Sequence, residues 1–150
     1  MQLSATGAAI PTRALAVVFV AAAYFVTVFA FAFVMGVARA LVIAPRVGPA
    51  VAVCVEIPIL LAASWALARR LLSGRRFELR DRAAVGGIAF ALTMASEALL
   101  SGLLRDQNVI EWAATLVSPL GLVGLAGQLG FAAMPVFAGH NSTAPAAIMR

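Results

Sequence analysis

Four long apolar runs limit what this chain can fold into more than any other feature of its sequence. The first covers about residues 14–36 without a charged side chain, and the others cover about residues 50–68, 83–104 and 113–137. A helix rises about 1.5 Å per residue, so each run can cross the hydrocarbon core of a bilayer, which is about 30 Å thick. We therefore predict an all-α integral membrane protein, a bundle of four transmembrane helices.

Composition excludes a water-soluble fold of this size. Apolar residues make up 63% of the 150-residue chain and charged residues 11%, whereas soluble domains average about 45–50% apolar and about 25% charged residues. A soluble globule of this length leaves about 30% of the surface of its unfolded chain in contact with water. So few polar side chains cannot cover that area, and the lipid bilayer is the predicted partner of the surface.

The positions of the arginines predict the orientation of the helices. All eleven basic residues are arginine, and six of them lie in the connection over residues 69–82. Short connections rich in basic residues face the cytoplasm. With this connection inside, both termini are cytoplasmic, and the inside segments hold eight arginines against three outside. Because the arginines gather between apolar runs, they indicate membrane topology and no nucleic-acid partner.

The segments outside the four runs are short. Residues 1–13 form an N-terminal segment, and residues 138–150 form a small polar tail that we predict to be mobile. Residues 37–49 contain Pro45 and Gly48, a composition typical of turns. We predict that they form the turn between the first two helices.

Two glutamates interrupt the second and third runs. Glu56 and Glu97 lie six and seven residues from the outer ends of their predicted helices, so both carboxyl groups are about 9–11 Å below the outer surface. A charged group in a membrane helix costs on the order of 2–3 kcal/mol near the bilayer centre, which favours an interior position with a partner. We predict one buried polar cluster of Glu56, Glu97, Arg39 and Arg46, with Arg39 as the favoured counter-charge.

Backbone features predict how the helices bend and pack. Pro58 has no N–H to donate to the carbonyl of Cys54, which predicts a kink in the second helix beside Glu56. In the last run, Gln128 is predicted to bond to a neighbouring helix. Four glycines at a spacing of three predict a groove for close packing of another helix. They are Gly121, Gly124, Gly127 and Gly130.

The sequence holds no pattern typical of a catalytic or cofactor site. Cys54 is the single cysteine, so one chain can form neither an internal disulfide nor a thiolate cluster. His140 is the single histidine, so paired histidine ligation of a metal or haem cannot occur within one chain. We predict no enzymatic activity, no bound metal and no cofactor.

Several short motifs follow one another through the first three runs. They include Gly36-Val37-Ala38-Arg39, Ala44-Pro45-Arg46-Val47-Gly48, Glu56-Ile57-Pro58 and Ser96-Glu97. Together they resemble a group of small four-helix bacterial inner-membrane proteins, and the resemblance covers about residues 14–137. It implies the same architecture and a multi-pass location in the inner membrane, and it names no reaction.

Two functions fit these features. The one favoured by the sequence is a non-enzymatic membrane component, either self-associating into a homo-oligomer or packing as an accessory subunit against a larger membrane complex. The alternative is a small proton-coupled or ion-conducting transporter that uses Glu56 and Glu97. A transporter of this kind needs a water-accessible carboxyl group that changes its charge, whereas a packing subunit does not.

Overall fold

The computed structural model of the chain describes residues 12–139, and the regular elements in this range are all helical. They are α1 (Thr12–Ala38), a π-helical segment (Arg39–Ile43), α2 (Ala44–Val47), α3 (Pro49–Leu72), α4 (Leu79–Arg105), α5 (Val109–Leu116) and α6 (Pro119–Ala138). Four stretches are long and apolar enough to span a membrane: the first span, Thr12–Val47, and the helices α3, α4 and α6. The predicted all-helical fold with four candidate spans is confirmed.

The ends of the chain lie mostly outside the described range. Of the predicted N-terminal segment only Thr12 and Arg13 fall within it, and both belong to α1. Of the predicted tail only Ala138 and Gly139 fall within it, and Ala138 is the buried last residue of α6. The mobility of the rest of the tail, including His140, stays a prediction.

The first span is longer than the sequence predicts. Instead of a turn over residues 37–49, the helix continues through the π-helical segment and α2 to Val47. Pro45 occupies the first turn of α2. A proline is tolerated in a first turn because the N–H groups there have no acceptor within the helix. The chain turns only at Gly48, whose φ of 84° is a conformation that favours glycine.

The last apolar run is divided into two helices. The sequence predicts one helix over residues 113–137, whereas the structure has a break at Val117 and Ser118 between α5 and α6. Pro119 takes the first turn of α6, and the Ser118 hydroxyl accepts a hydrogen bond from the N–H of Gly121 at 3.1 Å. A proline and a serine cap in these positions begin a new helix.

The four spans pack as a square. The first span lies against α3 and α4, and α6 lies against the same two helices on the opposite side. The first span and α6 are therefore diagonal to each other, and so are α3 and α4. This arrangement separates the two helices that carry Glu56 and Glu97.

The apolar core occupies only one half of the bundle, next to the connection over residues 73–78. The residues buried there include Val20 and Ala21 of α1, Ala68 of α3 and Val85 and Ala89 of α4. Most of these side chains are small, so the helix backbones come close together. The other half of the bundle has few buried apolar side chains among the described residues.

Tyr24 and Phe131 mark the boundary between the two halves. Their rings stack with centroids 4.8 Å apart and planes 9° from parallel. The Tyr24 hydroxyl also donates a hydrogen bond to the backbone carbonyl of Phe131 at 2.9 Å. Because α1 and α6 are diagonal, this pair crosses the bundle and closes the space between the helices at that level.

Ion pairs tie α1 to α4 at the end of the bundle that holds the core. Nη2 of Arg13 lies 2.5 Å from Oδ2 of Asp81 and 3.0 Å from Oε1 of Glu78. Exposed pairs of this kind contribute little to stability, because water screens their charges. Their effect is therefore mainly to fix the position of the two helix ends, and the sequence alone did not predict the pairing.

The glycines of α6 pack on different neighbours. A Cβ atom on Gly127 or Gly130 would lie 3.2 Å from Ile57 or 2.9 Å from Leu61, both on α3. Gly121 lies against the backbone carbonyl of Thr115 in α5. A Cβ atom on Gly124 would meet nothing within 4 Å, and the groove as a whole stays a prediction. The spacing of three turns the glycines around the helix, so they cannot all face α3.

The backbones of α4 and α6 come into close contact at Gly86. A Cβ atom on Gly86 would overlap the backbone carbonyl of Ala132, whereas a Cβ atom on Gly87 would meet nothing within 4 Å. The two neighbouring glycines therefore differ in what they require. Gly86 is needed for packing, and Gly87 is not.

We expect Gly86→Ala to destabilise the bundle by about 1–3 kcal/mol, the usual cost of overpacking a core. Gly87→Ala is the matched control and should leave the free energy of unfolding unchanged or raise it, since alanine favours helix more than glycine does. Unfolding in mixed SDS micelles, followed by tryptophan fluorescence, measures both. Equal stability of the two variants would contradict the close contact with Ala132.

Candidate functional site

A cavity of about 600 Å³ lies between the spans in the half of the bundle away from the apolar core. Small-molecule sites in proteins typically have volumes of about 300–1,000 Å³ and mostly apolar walls with a few polar groups. This cavity has such a volume, and its walls are mostly apolar. The first span, α3, α4, α5 and α6 all contribute to these walls. The polar side chains of the spans that line it are Arg39, Glu56, Ser64, Thr93, Glu97, Ser101, Arg105 and Gln128.

The residues that line the cavity lie between one end of the bundle and the level of Tyr24. Arg105 and Trp112 line it at the end where α5 lies, and Phe131 lines it at the level where Tyr24 closes the bundle. Between that level and the connection over residues 73–78, the buried apolar core fills the space between the spans. The cavity is therefore a vestibule with an apolar floor.

Glu56 lies in the wall formed by α3 and is paired with Arg39. Oε2 of Glu56 lies 2.5 Å from Nε of Arg39, an ion pair whose angle is not that of a hydrogen bond. Arg39 is the first residue of the π-helical segment, which positions it opposite α3. Since Glu56 is buried, the arginine supplies the counter-charge that a buried carboxylate requires.

Glu97 lies in the wall formed by α4 and has a neutral partner. Nε2 of Gln128 on α6 donates a hydrogen bond to Oε1 of Glu97 at 2.6 Å. The ion pairs found among residues 12–139 include none to Glu97. The amide oxygen of Gln128 has no partner among the described residues. It is buried and accepts no hydrogen bond within that range.

The hydroxyl groups of the spans that line the cavity donate their protons elsewhere. Ser64 and Thr93 each donate to the carbonyl four residues earlier in their own helices, at 2.6 and 3.0 Å. Ser101 donates to the amide oxygen of Gln107 at 2.5 Å. None of the three side chains therefore has a free O–H to donate to a ligand.

The structure places the four residues of the predicted cluster in different surroundings. Glu56, Glu97 and Arg39 line one cavity, with Glu56 and Glu97 in the walls formed by two diagonal helices. Arg46 does not join them. It donates to the carbonyl of Val42 in its own span and is exposed. The continued helix carries Arg46 seven residues past Arg39, roughly 10 Å further along the span.

Two other sequence predictions concern the walls of the cavity. Gln128 bonds to a neighbouring helix as predicted, although the sequence did not identify Glu97 as its partner. Pro58 lies inside α3, which is helical on both sides of it, so the carbonyl of Cys54 lacks its usual helical donor. The kink itself stays a prediction.

Comparison with protein-family models, with curated proteins and with solved structures finds no match for this chain. A function must therefore be argued from the site itself. The described residues also contain no group of three or more metal-ligating side chains. What the site offers is one neutralised carboxylate, one carboxyl group with a neutral partner, and a vestibule between them.

We expect Arg39→Met to lower the free energy of unfolding by about 1–3 kcal/mol, because it leaves the buried carboxyl group of Glu56 without a counter-charge. Adding Glu56→Gln to this variant should restore part of the loss. Arg46→Met is the matched control, an exposed arginine on the same span, and should unfold like the wild type. If Arg39→Met and Arg46→Met lose equal stability in SDS titrations, the ion pair does not stabilise the fold.

Proposed function

We propose that this chain is a non-enzymatic carrier of the bacterial inner membrane, which takes a small solute into the cavity and couples its movement to a proton on Glu97. The observation that supports this most is the setting of Glu97, a carboxyl group in the wall of a vestibule with only a neutral amide as partner. Such a group can gain and lose a proton without breaking an ion pair. Glu56 is different, because it is paired with Arg39.

The proposed orientation has the vestibule open to the outside. Six arginines lie in residues 69–82, at the end of the bundle that the apolar core fills, and the positive-inside rule assigns that end to the cytoplasm. Both termini are then cytoplasmic, and the end with α5 faces outward. The cavity is thus an outward-facing solute site in this proposal.

A carrier fits the geometry better than an open channel. Below the stacked rings of Tyr24 and Phe131 the described core is apolar, with Val20, Val85 and Ala89 buried between the spans. An ion in such surroundings has no polar groups to replace its water. Passage to the inside therefore requires the spans to rearrange, as alternating access does.

Binding fits the geometry better than catalysis. The hydroxyl groups that line the cavity donate to carbonyl or amide oxygens. A catalytic hydroxyl needs a basic partner within hydrogen-bond distance to take its proton. The cavity offers polar recognition groups but no activated nucleophile of that kind.

The second candidate is the self-associating or accessory membrane component that the sequence favours. The first span has 36 residues, and a helix of that length measures roughly 50 Å, more than the hydrocarbon core and the headgroup layers together. Leu41 and Val42 near its end are 74% and 51% exposed. In this second candidate, a second copy of the chain or a larger membrane complex covers these side chains.

We expect the carrier to be stopped by Glu97→Gln and unaffected by Asp106→Asn. Both variants change a carboxyl group to an amide, but Asp106 is exposed outside the cavity, and its left-handed φ of 54° suits asparagine. Proteoliposomes that contain a pH dye report proton movement when benzylguanidinium, benzyltrimethylammonium or benzenesulfonate is added outside. At least one solute should move protons in the wild type and in Asp106→Asn.

Two results would contradict the carrier. One is the absence of proton movement with all three solutes in protein that is folded and reconstituted. The other is wild-type proton movement in Glu97→Gln. In either case the accessory or self-associating function becomes the better explanation of the fold.

A further inference from the structure

We infer that the cavity selects an organic cation that bears N–H donors on a small apolar body, and that Glu97 and Gln128 bind its charged end. This inference names the class of solute and rests on the proposed function only for the claim that the bound solute is also transported. Three observations support it: the charge of the walls, the direction of their hydrogen bonds, and the apolar surface beside them.

The charges that line the cavity leave one carboxyl group uncompensated. Arg39 and Glu56 neutralise each other at 2.5 Å. Arg105 is exposed at the mouth, eight residues and so about 12 Å along α4 from Glu97, and water screens its charge. A cation that enters the vestibule therefore meets a single negative group with no competing arginine in contact.

Several hydrogen-bond acceptors of the walls are suited to a ligand that donates. Ser64, Thr93 and Ser101 donate their hydroxyl protons to protein oxygens. Gln128 donates one N–H to Glu97. The oxygens of Glu97 and the amide oxygen of Gln128 remain as acceptors, and the latter is buried without a donor. A buried acceptor without a partner costs about 1–3 kcal/mol, which a bound N–H group would remove.

The acceptors on Glu97 and Gln128 separate two kinds of cation. A guanidinium group is planar, carries five N–H donors when it bears one substituent and binds a carboxylate through two parallel hydrogen bonds. A quaternary ammonium has the same charge but no donor. An anion is disfavoured, since Arg39 is already held by Glu56.

The rest of the wall is suited to an apolar body. Phe29 and Phe33 lie one turn apart on α1, and Leu125 faces the cavity from α6. Aromatic faces also attract cations at contributions of about 0.5–2 kcal/mol. A ring attached to a guanidinium or ammonium group would therefore contact these side chains while its N–H groups reach Glu97.

Isothermal titration of the full chain in nanodiscs tests the inference with benzylguanidinium, benzyltrimethylammonium and benzenesulfonate. The wild type should bind benzylguanidinium at least tenfold more tightly than the quaternary cation and should not bind the anion. Glu97→Gln should weaken benzylguanidinium at least tenfold, and Asp106→Asn should not change it. Binding should also weaken as pH falls, because protons and the cation compete for the same carboxyl group.

A second variant keeps the test informative if Glu97→Gln does not fold. Gln128→Leu removes the amide oxygen without changing charge, and it should reduce the preference for benzylguanidinium over benzyltrimethylammonium. Equal affinity of the wild type for the two cations, tighter binding of the anion, or an unchanged preference in folded Gln128→Leu would each overturn the inference.

The outcomes also separate this inference from the proposed function. Selective binding of benzylguanidinium without proton movement in proteoliposomes would support the cation site and contradict the carrier. Proton movement driven only by benzenesulfonate would support the carrier and overturn the cation site. Absence of both would overturn both.

Discussion

A carboxyl group cannot face lipid tails without a partner, and this constraint shapes the half of the bundle that contains the cavity. Glu56 and Glu97 each require a polar group from another span, and each finds one: Arg39 from the first span and Gln128 from α6. Because α3 and α4 are diagonal, the two carboxyl groups belong to opposite walls and do not share one partner. The polar contacts therefore surround a space instead of filling it, and the vestibule follows from where the partners lie.

The half of the bundle that contains the apolar core is packed differently. There the spans approach until backbones touch, as Gly86 does with the carbonyl of Ala132, and the stacked rings of Tyr24 and Phe131 close the level above. Small residues drive helix contacts in membranes because lipid gives no hydrophobic gain for packing apolar side chains together. The proposed carrier and its proposed cation specificity both depend on a site that is open on one side and packed on the other.

The sequence predicts the number of spans well because apolar length alone determines which segments can cross a bilayer. It predicts Arg39 as the partner of Glu56 for a similar reason, since few cations lie at that depth. Helix ends were harder to predict: the π-helical turns allow Pro45 inside the first span, and Pro119 divides the last run. The diagonal placement of α3 and α4, the pairing of Glu97 with Gln128 and the open space at Gly124 depend on tertiary packing, which no local pattern encodes.

In the proposed orientation, the vestibule beside Glu97 opens to the outside and is closed toward the cytoplasm. Gly124→Cys tests it most directly in a Cys54→Ala background, because Gly124 lines the cavity and the space beside it can hold a side chain. Ala89→Cys, in the closed core, is the control. A membrane-impermeant methanethiosulfonate should label Gly124→Cys in spheroplasts but not in inside-out vesicles, and it should label Ala89→Cys in neither. Labelling of Gly124→Cys only from the cytoplasmic side, or equal labelling of both variants from outside, would contradict the account.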